Sequence, residues 1–422
     1  MGLDCFGNSN GNEGVSWMDL TRNKDNISKR IQAMLDRVGS AELSDLYLYN
    51  IPVSEIHGGA SVSVDGREMG MFASYSYLGL LGHPRINEAA IRAVETYGSG
   101  THGVRTLAGT LELHEALEET IANFKGTDDA ITFSSGYVTN LSTISTLVGR
   151  HDVVLSDKLN HASIVDGCLL SGAQFVRFKH NDMQDLARRL EEVPESASRL
   201  VVSDAVFSMD GDIVDLPRLS ETCRRYGAWL MIDEAHSVGV LGETGRGIEE
   251  HFGLQGAIDL KMGTLSKTIP SVGGYVAGKH DVIKFLRHQA RGYVFSAALP
   301  PGQAAAAMES FKVIQDEPWR VQTLRENTEL FIEGLKDRGF DTLRSETAIV
   351  PILCGSDDRA FRVARESHRE NVFVLPVVSP AVPEGLARLR ATVTAAHSTK
   401  QIEHAMDVFA RAGRKVGVLA EA

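Results

Sequence analysis

The chain has 422 residues, enough for two or three domains with a sizeable buried core. Hydrophobic residues at 43% and charged residues at 23% exclude a wholly disordered chain and a coiled coil. A formal net charge of −12, from 43 Lys+Arg against 55 Asp+Glu, argues against a broad face for nucleic acid or an anionic membrane, while leaving room for a local basic site for a small anion.

The four cysteines, Cys5, Cys168, Cys223 and Cys354, lie far apart without zinc-site spacing and read as reduced thiols. No apolar run approaches the roughly 18 residues of a membrane span. No basic-then-apolar signal opens the chain. These readings together give the expectation of a cytoplasmic protein with no membrane span and no metal.

Residues 1–25 are polar and rich in Gly and Asn. From Asn26 to about Val38, apolar residues Ile27, Ile31, Met34, Leu35 and Val38 recur at helical spacing. Residues 60–73 read as two short strands around Asp65-Gly66. From about 84 to 300, helical stretches (84–97, 111–124, 138–148, 181–192, 217–226) alternate with short apolar runs. These runs are Ala130–Phe133, Val153–Leu155, Gln174–Phe178, Leu200–Val202, Ala228–Ile232, Asp259–Met262 and Gly274–Ala277. Runs that are apolar throughout suit strands buried on both faces, and the alternation predicts an α/β fold with a mostly parallel central sheet. After Pro300-Pro301 come helices at 302–316 and 319–338. Strand candidates follow at Ala348–Leu353, Val372–Pro376 and Arg388–Val393, with helices near 357–370 and 399–412. The expected organisation is an N-terminal tail and helix (1–57), a large domain (58–300) and a smaller C-terminal α+β domain (301–422).

Two motifs mislead. Gly98-Ser-Gly-Thr-His-Gly103 matches the dinucleotide fingerprint GxGxxG, but a helix precedes it where that fingerprint needs a strand. Asp233-Glu-Ala-His236 matches a helicase box. The phosphate loop such an enzyme needs is missing, because the Gly278-Lys279 pair is followed by His280.

Four strand ends and a turn fit together better. Asp233 closes an apolar run, where a carboxylate is costly unless paired. Lys267 closes Gly263-Thr-Leu-Ser-Lys267, with the hydroxyls of Thr264 and Ser266 beside it. His161 follows a third run, and its flat imidazole could stack on a cofactor ring. A further run ends at Asp204 ahead of Phe207-Ser-Met-Asp-Gly-Asp212. Phe133-Ser-Ser-Gly-Tyr137 joins a strand to a helix start, a natural phosphate seat. An Asp for a pyridinium nitrogen, a Lys for an aldehyde and a seat for a phosphate together describe pyridoxal 5′-phosphate (PLP).

These residues resemble the α-oxoamine synthases, PLP enzymes of fold type I. The resemblance runs from about Tyr75 to His397. It includes Tyr75-Ser-Tyr-Leu-Gly-Leu80, Gly98-Ser-Gly-Thr-His-Gly-Val-Arg105, Asn160-His-Ala-Ser163, Asp233-Glu-Ala-His-Ser237 and Arg388-Leu-Arg-Ala-Thr-Val-Thr-Ala-Ala-His397. It implies that Lys267 holds PLP as a Schiff base and moves the Cα proton, and that Asp233 pairs with the ring nitrogen. It implies that His161 stacks on the ring, that His236 hydrogen-bonds near the phenolic oxygen and that Ser208 lies beside the ring. Ser135, Gly136, Tyr137, Thr264 and Ser266 would hold the phosphate, joined by Ser296 from the other subunit of a homodimer with a shared active site. Arg390 would clamp the amino acid carboxylate, with Tyr75, His102 and Val104 near the substrate.

The implied reaction is a decarboxylating condensation of serine, glycine or alanine with an acyl thioester, carried by CoA or an acyl carrier protein, to give an α-amino ketone, CO2 and free thiol. A PLP aminotransferase or lyase on the same fold is the alternative. A non-catalytic partner subunit is the alternative of another class, and Lys267 speaks against it. Departures from the family pattern are Thr268-Ile-Pro270 after the lysine and Val104 where relatives often have Ser or Thr. Tyr75 and Gly98-Ser-Gly-Thr lean toward the serine palmitoyltransferase branch.

Overall fold

The computed structural model describes residues 26–43 and 46–420. The chain divides into a unit up to Ile51 and a unit from Pro52 onward. In the first, Asn26–Leu43 is a helix with Ile27, Ile31, Met34 and Leu35 exposed. Residues 1–25, including Cys5, lie outside the described residues.

Among the described residues the second unit contains fourteen strands: β1 (Glu55–His57), β2 (Ser61–Val64), β3 (Arg67–Met71), β4 (Asp129–Phe133), β5 (Val153–Asp157), β6 (Gln174–Phe178), β7 (Arg199–Asp204), β8 (Trp229–Asp233), β9 (Leu260–Thr264), β10 (Gly274–Gly278), β11 (Ile349–Gly355), β12 (Val372–Phe373), β13 (Pro376–Val377) and β14 (Ala387–Thr392). Seven form the central sheet, in the order β4-β10-β9-β8-β7-β5-β6. Only β10 runs against its neighbours; the other pairs are parallel. The C-terminal ends of β4, β5, β7, β8 and β9 therefore all emerge at one edge, where open α/β sheets bind ligands.

The apolar runs are buried as their composition requires. Every residue of β5, β9 and β10 is buried. Ile131, Val154, Val202, Met231, Met262 and Val276 pack in one core with Ile144 and Ile164 from the covering helices. Asp65 and Gly66 both take positive φ, as a tight hairpin turn between β2 and β3 demands.

Three features differ from the sequence reading. The run 372–376 is two strands: β12 pairs in parallel with β3, while β13 pairs with β14. Its two halves serve different sheets, and Pro376 has no N–H to carry a ladder through. A helix at Ala162–Ser171 was not expected, because its start is capped by His161, whose side chain accepts from the Ser163 N–H. The helix His280–Gln289 begins with no side-chain cap at all. Neither start carries the Ser, Thr, Asp or Asn signal that marks a helix in sequence.

No helix among the described residues is long and apolar enough to cross a membrane. No metal-holding cluster of His, Cys, Asp or Glu occurs among them. Cys168, Cys223 and Cys354 are buried free thiols.

Candidate active site

One cavity of about 250 Å³ lies at the C-terminal edge of the central sheet. Its lining includes Ser135, Gly136, Tyr137, His161, Ser208, Asp233, His236, Thr264, Ser266 and Lys267. Residues up to 132 positions apart in sequence meet there because five strands end at the same level.

At one end of the cavity the helix Gly136–Leu147 begins. Ser135 caps it, its Oγ accepting from the Val138 N–H at 3.1 Å. The first-turn amides then have no helical carbonyl to bond and carry the positive end of the helix dipole. A Cβ at Gly136 would lie 2.9 Å from Thr264 Oγ1, so only glycine lets the helix start approach β9 this closely. Thr264 Oγ1 and Ser266 Oγ stand 2.9 Å apart, two hydroxyls beside a helix N-terminus. A helix N-terminus with two hydroxyls beside it offers the donors that an anion such as a phosphate would take.

At the other end Asp233 is held rigidly. One carboxylate oxygen accepts from Asn140 Nδ2 at 2.7 Å and the other from the Ala235 N–H at 2.9 Å. Asn140 Nδ2 also donates to Ser163 Oγ at 2.9 Å, and Ser163 Oγ lies 2.8 Å from His161 Nδ1. The His161 N–H donates to Asp204 Oδ2 at 2.9 Å. Burial lowers the pKa of His161, so its ring is a neutral, flat surface.

Lys267 Nζ sits 2.8 Å from His236 Nε2. Burial brings the pKa of Lys267 down to about 8, with the Asp233 charge working the other way. A lysine amine that loses its proton so readily is a competent nucleophile toward an aldehyde. Above it, the Tyr75 ring lies 5.7 Å from Lys267 Nζ and 4.8 Å from the Arg390 guanidinium. Arg390 is buried on β14, donates from Nε to the Ser208 carbonyl at 2.6 Å, and has a buried Nη2 without a partner. That nitrogen is a buried donor whose hydrogen-bonding capacity is unused.

Of the residues read from sequence, ten line the cavity, while Tyr75 and Arg390 lie beside Lys267 and Ser208 without lining it. His102, Val104 and Ser296 do not line it. Instead Val104 pairs with Ala297 and the Ala298 N–H donates to the Gly103 carbonyl, so these three residues share one strip of surface. Asn140, Ser163 and Tyr77 were given no role of their own, and Asp204 was read as a strand end without one. Asn140 lies four residues after Gly136, one turn along the same helix face, a spacing that could have revealed it.

The family model for aminotransferase class I and II matches residues 68–409. An 8-amino-7-oxononanoate synthase of Geobacter sulfurreducens is 46% identical over 363 residues, 86% of this chain and 93% of that one. The corresponding enzyme of Thermoanaerobacter pseudethanolicus is 43% identical over 370 residues, 87% and 94% of the two chains. This chain belongs to the α-oxoamine synthase family. A serine palmitoyltransferase from S. paucimobilis with a bound PLP–myriocin aldimine superposes with a TM-score of 0.91 at 34% identity, covering 94% of this chain and all of that one. The Sphingomonas wittichii serine palmitoyltransferase gives 0.90 at 35%, with the same coverage. The fold is PLP fold type I, and the chain is an acyltransferase of this family. An 8-amino-7-oxononanoate synthase from Francisella tularensis superposes with a TM-score of 0.72 at 26% identity, so the two enzyme groups flank this chain, one by sequence and the other by structure.

Proposed function

We propose that the chain uses PLP to condense a small amino acid (serine, glycine or alanine) with an acyl thioester, releasing CO2 and free thiol and leaving an α-amino ketone. The observation that carries this reading is the convergence of Lys267 and Asp233 in one cavity whose far end is a helix N-terminus flanked by Thr264 and Ser266. The donor set fits PLP: an amine for the aldehyde, a carboxylate for the ring nitrogen, and amides and hydroxyls for the phosphate. Bound there, PLP supplies an electron sink that stabilises negative charge at the amino acid Cα.

The chain's own residues do the rest. Ser135, Gly136, Tyr137, Thr264 and Ser266 hold the phosphate. Asp233, pinned by Asn140, keeps the ring nitrogen protonated, and His161 supports the ring face. Arg390 offers its unpaired Nη2 to the substrate carboxylate, with Ser208 beside the ring. Lys267 takes the Cα proton and returns it; its lowered pKa suits both directions near neutral pH.

A homodimer with a shared site is part of the proposal. Leu107 is 85% exposed and Phe295 70%, apolar surfaces that a partner chain would cover. The strip holding His102, Val104 and Ser296 is available to complete the neighbouring cavity. Mixing a Lys267→Ala chain with a Ser296→Ala chain is expected to restore part of the activity through hybrid dimers.

The test of the reaction is direct. The PLP-loaded protein is incubated with each amino acid and an acyl-CoA or an acyl carrier protein thioester, and free thiol and CO2 are measured. Both are expected in equal amounts. An oxo acid without thiol release would make the chain an aminotransferase, and no turnover with any pair would make it a non-catalytic partner.

A further inference from the structure

Tyr77 is fully buried, yet it carries a hydroxyl into the active-site wall. That hydroxyl lies 2.6 Å from His236 Nδ1. The other ring nitrogen of His236 lies 2.8 Å from Lys267 Nζ. The imidazole therefore bridges a buried phenol and the reactive amine.

His236 is neutral. Burial pushes its pKa well below the usual histidine range, and the Lys267 and Arg390 charges push the same way. A neutral imidazole has one N–H, so one nitrogen donates and the other accepts. Tyr77 decides which. Burial raises its pKa to about 12, partly offset by Arg390, so the phenol keeps its hydrogen. The guanidinium of Arg390 has only donors and cannot receive that hydrogen. His236 Nδ1 can. With Nδ1 accepting from Tyr77, the ring hydrogen must sit on Nε2, facing Lys267.

We propose that Tyr77 is a positioning residue that locks His236 as an Nε2–H donor aimed at Lys267. A neutral Lys267 amine accepts that hydrogen. If the PLP reading holds, a phenolic oxygen placed beside His236 accepts it too, and the opposite tautomer would set two lone pairs against each other there. Arg390 also hydrogen-bonds the Tyr77 hydroxyl, so the residue read as the carboxylate clamp and the reactive amine are joined through Tyr77 and His236.

The test reads the tautomer itself. Protein labelled with 15N-histidine is examined by NMR at about pH 9, where Lys267, with its pKa of about 8, is a neutral acceptor, both free of PLP and loaded with it, with the His236 signals assigned by comparison with a His236→Asn variant. The wild type is expected to show a pyridine-type Nδ1 and a pyrrole-type Nε2. Tyr77→Phe keeps the ring in place and removes the hydroxyl. It is expected to give a mixture of tautomers at His236, while the other histidine signals and PLP binding stay as they were. A wild-type His236 protonated at Nδ1 would overturn the proposal, as would an unchanged tautomer in Tyr77→Phe. Should that variant fail to fold, the wild-type spectrum decides alone. The measurement uses no amino acid or thioester, so failure of the condensation assay would leave its outcome separate.

Discussion

Asp204 and Asp233 are register partners at the ends of neighbouring parallel strands β7 and β8. Two buried carboxylates so placed cannot both ionise easily. Burial raises the pKa of Asp204 well above the carboxylate range, and the Asp233 charge raises it further. Asp204 is therefore the carboxyl that favours its proton, and it accepts the backbone N–H of His161 through Oδ2, while Asp233 takes hydrogen bonds from Asn140 and Ala235. Asparagine imitates a protonated aspartic acid. Asp204→Asn is expected to leave kcat/KM within about tenfold of wild type, whereas Asp233→Asn loses about a hundredfold or more with the fold intact. Steady-state kinetics on both variants check this; equal losses would mean that the two carboxylates do not divide their roles as argued.

His180 joins the end of β5 to the loop that carries Ser208. Its Nδ1 lies 3.0 Å from Asp157 Oδ1 and its Nε2 2.8 Å from Asp212 Oδ2. Burial opposes the charged ring, but the bonds to the two carboxylates outweigh it and raise the pKa to about 10. A raised histidine pKa stabilises the fold fully below the unfolded value near 6.5, and the stabilisation disappears as pH climbs through about 10. His180→Asn is expected to cost about 2–3 kcal/mol at pH 6, as hydrogen bonds to charged groups do. The difference in urea midpoint between wild type and variant should shrink steadily from pH 6.5 to 10. A difference that does not vary with pH would show the bridge to be uncharged.

Much of this was legible in the sequence because the central strands are buried on both faces and so read as unbroken apolar runs. Phe133, Asp204, Asp233 and Thr264 each end such a run. Aligning those ends at one sheet edge assembles most of the cavity. What was hidden has physical reasons. Ser163 and Tyr77 act through side chains that meet their partners only after separate elements pack; the four-residue spacing from Gly136 marks the face Asn140 is on, but not its partner Asp233, 93 residues away. The helix at Ala162–Ser171 was hidden because the residue capping it, His161, is one read for another purpose.

Lys267 provides the third prediction. In the protein stripped of PLP its pKa is brought down to about 8 by burial. Exposed lysines titrate near 10.4. The rate at which stripped protein recaptures PLP as a visible chromophore is expected to rise with pH and to reach half its limit near pH 8. Lys267→Ala is expected to form no such covalent chromophore and to have no turnover. A half-point near that of exposed lysines would mean that the amine is not desolvated, and retention of the chromophore in Lys267→Ala would assign the link to another residue.

Arg390 provides the last. Its Nε is engaged by the Ser208 carbonyl, its face packs on Tyr75, and its Nη2 is buried without a partner. A guanidinium so fixed can present a remaining N–H to a carboxylate in one orientation, which a lysine ammonium on a flexible stem does less well. Arg390→Lys keeps the positive charge but loses the Ser208 anchor and the flat contact with Tyr75. The KM for the amino acid is expected to rise about tenfold to a hundredfold, with PLP content unchanged. The comparison that isolates the carboxylate uses an amine of the same length without it. Binding of that amine, followed by its change in the PLP absorbance, should be almost the same in wild type and Arg390→Lys. If the variant weakens both ligands equally, Arg390 shapes the cavity rather than gripping the carboxylate, and the substrate's acid group must be held elsewhere.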